Sequence, residues 1–107
     1  MVNDVDGSFR ALGHPARRRI VERLAYGPAT VGDATAGLGI SKPAVTKHLK
    51  VLEGAGLVTR VREGRTHRLA LERRPLREAA DWMDRHRALW ESKFDELERF
   101  LAEQEPG

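Results

Sequence analysis

Residues 40–71 read ISKPAVTKHLKVLEGAGLVTRVREGRTHRLAL, and within this stretch the hydrophobic period changes from that of a helix to that of a strand. Ser41 has the side chain of an N-cap, and Pro43 falls in a first turn, where its missing N–H is not needed. Val45, Leu49 and Leu52 then recur on one helical face before Gly54 and Gly56 end the run. From Leu57 the period is two. Thr59 and Val61 alternate with Arg60 and Arg62, Glu63-Gly64 offers a turn, and His67, Leu69 and Leu71 alternate with Arg68 and Ala70. The expectation is a helix followed by a β-hairpin. On that phase Arg60, Arg62, Arg65 and Arg68 occupy the outward positions and the tip, while His67 shares the inward parity of Leu69 as a structural residue.

Upstream, FRALGHPARRRIVERLAYGPATVGDATAGL (residues 9–38) supplies the elements that would carry this unit. Phe9 and Leu12, with Ser8 as cap, suggest a short first helix stopping at Gly13. Pro15 opens a second helix to about Ala25, with Ile20, Val21 and Leu24 as its stripe and Gly27-Pro28 as its stop. Thr30 and Asp33 mark a third short helix reaching about Ala36. Downstream, Pro75 opens a last helix that meets neither proline nor glycine before about Glu103. The order is α-α-α-α-β-β-α, a mainly α chain with a small β-hairpin. At 107 residues it has room for a single domain, 1–107, and none for a linker.

Two helices joined by the glycine-containing turn Gly37 to Ile40 have helix-turn-helix spacing. The face of the second helix strengthens that reading. Opposite Val45 stand Pro43, Thr46, Lys47 and Lys50, which are short polar groups and cations with no acid among them. A DNA major groove admits such a helix. Lysine can bond guanine O6/N7 or a phosphate, and threonine can meet a base edge or a thymine methyl. Ser41 and Lys42, beside the free N–H groups of the helix start, suit a phosphate. A wing of four arginines suits the backbone and a narrow minor groove, with Arg65 beside Gly64 best placed for insertion.

Charge is sorted along the chain in the same sense. Residues 10–74 hold 14 Lys+Arg against 5 Asp+Glu, whereas residues 75–107 hold 5 against 9, and the formal total is only +3. A basic body with an acidic last segment is expected when one surface meets a polyanion and another meets something else. The chain has no cysteine, which removes disulfides, thiolate metal sites and cysteine nucleophiles. Neither a membrane span nor a secretory leader is read, so the expected location is the cytoplasm. Enzymatic chemistry is not expected: no Ser-His-Asp arrangement is supported, and Gly37-x-Gly39 lacks the strand and third glycine of a dinucleotide site.

Together these residues resemble the winged helix-turn-helix transcriptional regulators of the ArsR/SmtB family. The resemblance is close over residues 9–71, and His48-Leu49, Leu52 and Ala55-Gly56-Leu57-Val58 carry it most specifically. It implies a homodimer joined by its first and last helices, usually a repressor on an imperfect palindrome of double-stranded DNA. The recognition helix would be Ser41 to Leu52 and the wing Arg60 to Arg68. Many members sense metals, but the family's Cys-x-Cys site would fall on the region of Gly32, Asp33 and Ala34. On the last helix Asp84-Arg85-His86 matches half of the other common site, while its second half would fall on Leu97 and Phe100. Metal and cofactor are therefore both read as none, and the effector stays unnamed.

The last helix carries Trp82, Met83, Leu89, Trp90, Phe94, Leu97, Phe100 and Leu101 at spacings of three, four and seven. This is more apolar surface than a small winged helix can cover, so with Phe9 and Leu12 these residues are read as a dimer seam. A rival reading has Trp82, Met83 and Trp90 line an effector pocket. Alternatives for the whole chain are a winged helix that binds an acidic protein, or a metal-responsive repressor with an unrecognised site.

Overall fold

A computed structural model describes residues 5–104. Its elements are α1 Val5–Ala11, α2 Pro15–Leu24, β1 Ala29–Thr30, α3 Val31–Ala34, α4 Lys42–Gly54, β2 Val58–Glu63, β3 Thr66–Leu71 and α5 Arg73–Gln104. Each helix sits where the punctuation of the sequence puts it, with shifts of a few residues. The Thr30 hydroxyl accepts from the Asp33 N–H (3.1 Å) and the Ser41 hydroxyl from the Ala44 N–H (3.3 Å), as the caps require. At the other end of α4, Gly56 takes φ +75°, and the Gly56 and Leu57 N–H groups bond back to Glu53 and Leu52 carbonyls. This is a Schellman stop, and it turns Leu57 into the core directly beneath Leu52.

Five expectations are corrected. Ser8 does not cap α1 but lies wholly buried inside it, because the helix begins at Val5. α3 ends at Ala34, not Ala36. α5 begins at Arg73 and runs 32 residues, since the first turn tolerates proline beyond its opening position and Pro75 therefore does not mark the start. A third strand, β1, joins the hairpin in the order β1-β3-β2, with Ala29 opposite Leu69 and Thr30 opposite Arg68. Two residues are too few for any period to register, so the order becomes α-α-β-α-α-β-β-α.

The fifth correction concerns the phase of the wing. Cross-strand partners share a face, and Arg60 pairs with Leu69, Arg62 with His67, and Val61 with Arg68. Leu69 is fully buried, whereas Val61 is 55% exposed. Arg60 and Arg62 therefore lie on the inward side of the pleat and Val61 on the outward side, the reverse of the expected alternation. The cause is that Leu57 and Val58 are both buried, so the strand takes its phase from Val58.

The core joins Ala11, Ile20, Leu24, Ala34, Leu49, Leu52, Leu57, Val58 and Leu69, drawn from α1 to α4 and the sheet. It fixes the roll of α4, because Leu49 and Leu52 can be buried on only one side. α5 packs on α1 through its first turns and then extends away, giving the chain a long dimension of 69 Å.

Candidate nucleic-acid interface

With Leu49 and Leu52 inward, Pro43, Thr46, Lys47 and Lys50 all stand exposed on α4. Among the described residues, Lys42, Lys47 and Lys50 have no ion-pair partner, so three ammonium groups are free on one helix. The Thr46 hydroxyl is committed differently. It donates to the Lys42 carbonyl (3.1 Å), which leaves its lone pairs and methyl group to face outward. Thr46 can thus accept from an exocyclic amine or touch a thymine methyl, but it has no hydrogen left to donate. Ser41 likewise spends a lone pair on its cap and keeps its hydrogen.

The four wing arginines separate into different roles. Arg60 donates to Glu53 of α4 (2.6 Å) and to His67 Nδ1 (3.3 Å), and its side chain is 29% exposed. It ties the hairpin to the C-terminal end of α4, with its charge already matched. Arg62 uses Nε on the Gly64 carbonyl (3.1 Å) at the tip. Arg68 lies 3.8 Å from Glu63, a loose and exposed pair that contributes little. Arg65 alone is exposed with no partner among the described residues. It follows Gly64, whose φ of +63° at the first of two central residues matches a type II′ turn, and it edges an open cleft with Thr30, Gly32 and His67. His67 is half-buried and lies on the same face of the strand as Leu69.

Two residues that sequence reasoning did not single out, His14 and Arg17, converge on His48 in the middle of α4. His14 caps α2, its Nδ1 accepting from the Ala16 N–H (3.1 Å). Its ring lies 4.3 Å from that of His48. Arg17 donates to the Ala11 carbonyl (2.6 Å), to the Arg10 carbonyl (3.3 Å) and to His48 Nδ1 (3.1 Å). Burial first, then the charges of His14, Arg17 and Lys47, hold the His48 pKa below its ordinary value of 6.5. Arg17 and His48 are 31 positions apart, and no local pattern links them.

The apolar stripe of α5 has two halves. Near α1, Trp82 meets Phe9 edge-on at 5.7 Å and stacks on His86 at 4.2 Å, while Leu12 packs against the core. Beyond, Leu89, Trp90, Phe94, Leu97, Phe100 and Leu101 are all more than half exposed, Phe94 most at 59%, and Met83 is 49% exposed. Among the described residues none covers them. At the half-motif, Asp84 and His86 each have a partner on α5 itself. Asp84 pairs with Arg87 (2.9 Å), and His86 Nδ1 donates to the Trp82 carbonyl (2.7 Å). Among the described residues no group of three His, Asp or Glu is placed to hold a metal ion. Nor is any described helix long and apolar enough to cross a membrane.

A family model for a helix-turn-helix domain matches residues 12–61. Among curated proteins, the chain is 33% identical over 75 residues to the transcriptional repressor SdpR of Bacillus subtilis (strain 168), covering 70% of this chain and 83% of that one. Among solved structures, the ArsR family transcriptional regulator RHA00566 superposes with a TM-score of 0.75 at 33% identity, covering 86% of this chain and 98% of that one. The chain belongs to the ArsR family of winged helix-turn-helix transcriptional regulators. These relatives of the ArsR-family chain are named as transcriptional regulators. It is also 53% identical over 53 residues to the HTH-type transcriptional regulator Rv2034 of Mycobacterium tuberculosis (strain ATCC 25618 / H37Rv), a match spanning half of each protein.

Proposed function

We propose that this ArsR-family chain is a homodimeric repressor that binds an imperfect palindrome in cytoplasmic double-stranded DNA. The observation that carries the reading is the fixed, acid-free face of α4, where Pro43, Thr46, Lys47 and Lys50 are exposed over a buried Leu49 and Leu52. That face enters the major groove. Ser41 and Lys42 bind phosphate at its N-terminal end, and the wing follows the backbone with Arg65 reaching the minor groove. Arg62 and Arg68 approach phosphates with their remaining N–H groups, and Arg60 acts by holding the wing in place. SdpR, named as a repressor, supports the direction of regulation.

The uncovered stripe of α5, from Met83 through Leu101, supports dimerisation. Hydrophobic surface of that extent, with aromatic anchors at Trp90 and Phe94, is stabilised when a second copy removes it from water at about 25 cal/mol per Å². Phe9, Leu12 and Trp82 form the end of this seam nearest α1. Two-fold symmetry then sets half-sites about 10 bp, or roughly 34 Å, apart.

Selection of bound sequences from random duplex DNA, repeated with added zinc and with chelator, tests the proposal. Enrichment of a two-fold repeat that is indifferent to metal is expected. A chain that binds every duplex equally would instead be a winged helix acting on protein partners, and metal-dependent enrichment would restore a metal sensor.

A further inference from the structure

We propose that Arg17 is a positioning residue for the recognition helix: its guanidinium fastens the end of α1 to His48 of α4, and the DNA-reading face keeps its alignment only while His48 is unprotonated. This rests on the DNA reading above and adds a residue that touches no base. A guanidinium can only donate, so His48 Nδ1 is the acceptor of the 3.1 Å contact and the ring carries its hydrogen on Nε2. The same guanidinium places its Nε on the Ala11 carbonyl and Nη2 on the Arg10 carbonyl, the last carbonyls of α1. One rigid fork thus spans two helices, and lysine could not reproduce it.

The acceptor adjoins Lys47 and lies within one turn of Thr46 and Lys50, so a shift at His48 carries directly into the reading face. Leu49 and Leu52 set the roll of α4, while in its N-terminal half Ala44 and Val45 are half-buried, with Val45 packed against the core. The groups facing the ring are His14 from the turn before α2, Arg17 from α2 and Lys47 from α4 itself, with Arg10 of α1 behind Arg17. None is an acid. A proton on His48 Nδ1 therefore removes the acceptor Arg17 uses and sets two cations in contact.

The sign follows from linkage. His48 takes up its proton at lower pH in the folded chain than in the unfolded chain, so the unfolded state binds more protons below about 6.5, and the link itself is lost below that value, as pH falls through the lowered pKa of the folded chain. A protonated His48 also attracts phosphate, but equally for all sequences, so the informative quantity is the ratio of selected to random duplex affinity.

The experiment measures that ratio from pH 7.5 to 5.0 for wild type, His48→Asn and His48→Leu. Asparagine presents an oxygen near the position of Nδ1 and does not titrate. We expect the wild-type ratio to fall about tenfold, His48→Asn to stay within about twofold of its pH 7.5 value, and His48→Leu to be low throughout. Matching profiles for wild type and His48→Asn would overturn the proposal. Imidazole nitrogen NMR on the free protein gives a readout without DNA. An Nε2–H tautomer for His48 is expected, with amide shifts in residues 42–50 and at Arg17 that follow its titration. An Nδ1–H tautomer, or a titration that leaves those amides still, would refute the link even if no selected duplex existed. Failure to select any duplex would instead refute the DNA reading alone.

Discussion

Salt dependence separates the wing arginines by role. Replacing Arg65 removes an exposed cation with no partner among the described residues, whereas replacing both Arg60 and Glu53 by alanine removes a matched pair 2.6 Å apart and leaves net charge unchanged. Each phosphate neutralised contributes about 0.9 to the slope of log K against log salt. A dimer carries two wings, so Arg65→Ala flattens the slope by about 1.8. Between 50 and 200 mM salt, a fourfold change, the gap between wild type and Arg65→Ala then closes by about twelvefold. The Arg60/Glu53 double variant keeps the wild-type slope and loses affinity equally at every salt concentration, since its deficit is wing placement. Fluorescence anisotropy on the selected duplex across that range reads both. A slope lost on removing the Arg60–Glu53 pair, or retained on removing Arg65, would refute the assignment of brace and contact.

Lys47→Ala is expected to cost about 1–3 kcal/mol of binding and to relax preference at one position of each half-site, which selection repeated on the variant measures. Trp90→Glu with Phe94→Glu puts charge into the α5 seam and should give monomers by sedimentation at micromolar concentration, with helix content unchanged by circular dichroism. Gly56→Ala keeps space for the methyl group, whose nearest neighbour is Pro75 at 3.9 Å, so its cost is that of the positive φ alone, about 1–2 kcal/mol in denaturant unfolding. Stability itself should fall as pH drops below about 6.5, and less so in His48→Asn, because folding excludes a proton from His48.

The helix-turn-helix is legible in the sequence because its signals are local and redundant: the caps at Thr30 and Ser41, a stripe of Val45, Leu49 and Leu52, and a glycine where a left-handed residue is needed. The exposure of Pro43, Thr46, Lys47 and Lys50 follows from that stripe alone. The wing is different. Alternation gives a hairpin but not its phase, and with Leu57 and Val58 both buried the strand could start on either. Only the pairing of Arg60 with Leu69 shows that Arg60 points inward toward Glu53. β1 is too short to leave a pattern, and His14 is not a usual capping residue, so the cluster it forms with Arg17 and His48 is visible only once the chain is folded. The apolar stripe of α5 is legible because its spacings of three, four and seven are local, and it stays exposed among the described residues.

Methylation interference on the selected duplex tests the central claim most directly, since a methyl on guanine N7 blocks the major groove and one on adenine N3 blocks the minor groove. Interference at N7 in two patches about 10 bp apart on one side of the helix, flanked by interference at N3 where the wings reach, is the result expected of α4 in successive major grooves. Binding that tolerates N7 methylation throughout the site would contradict it.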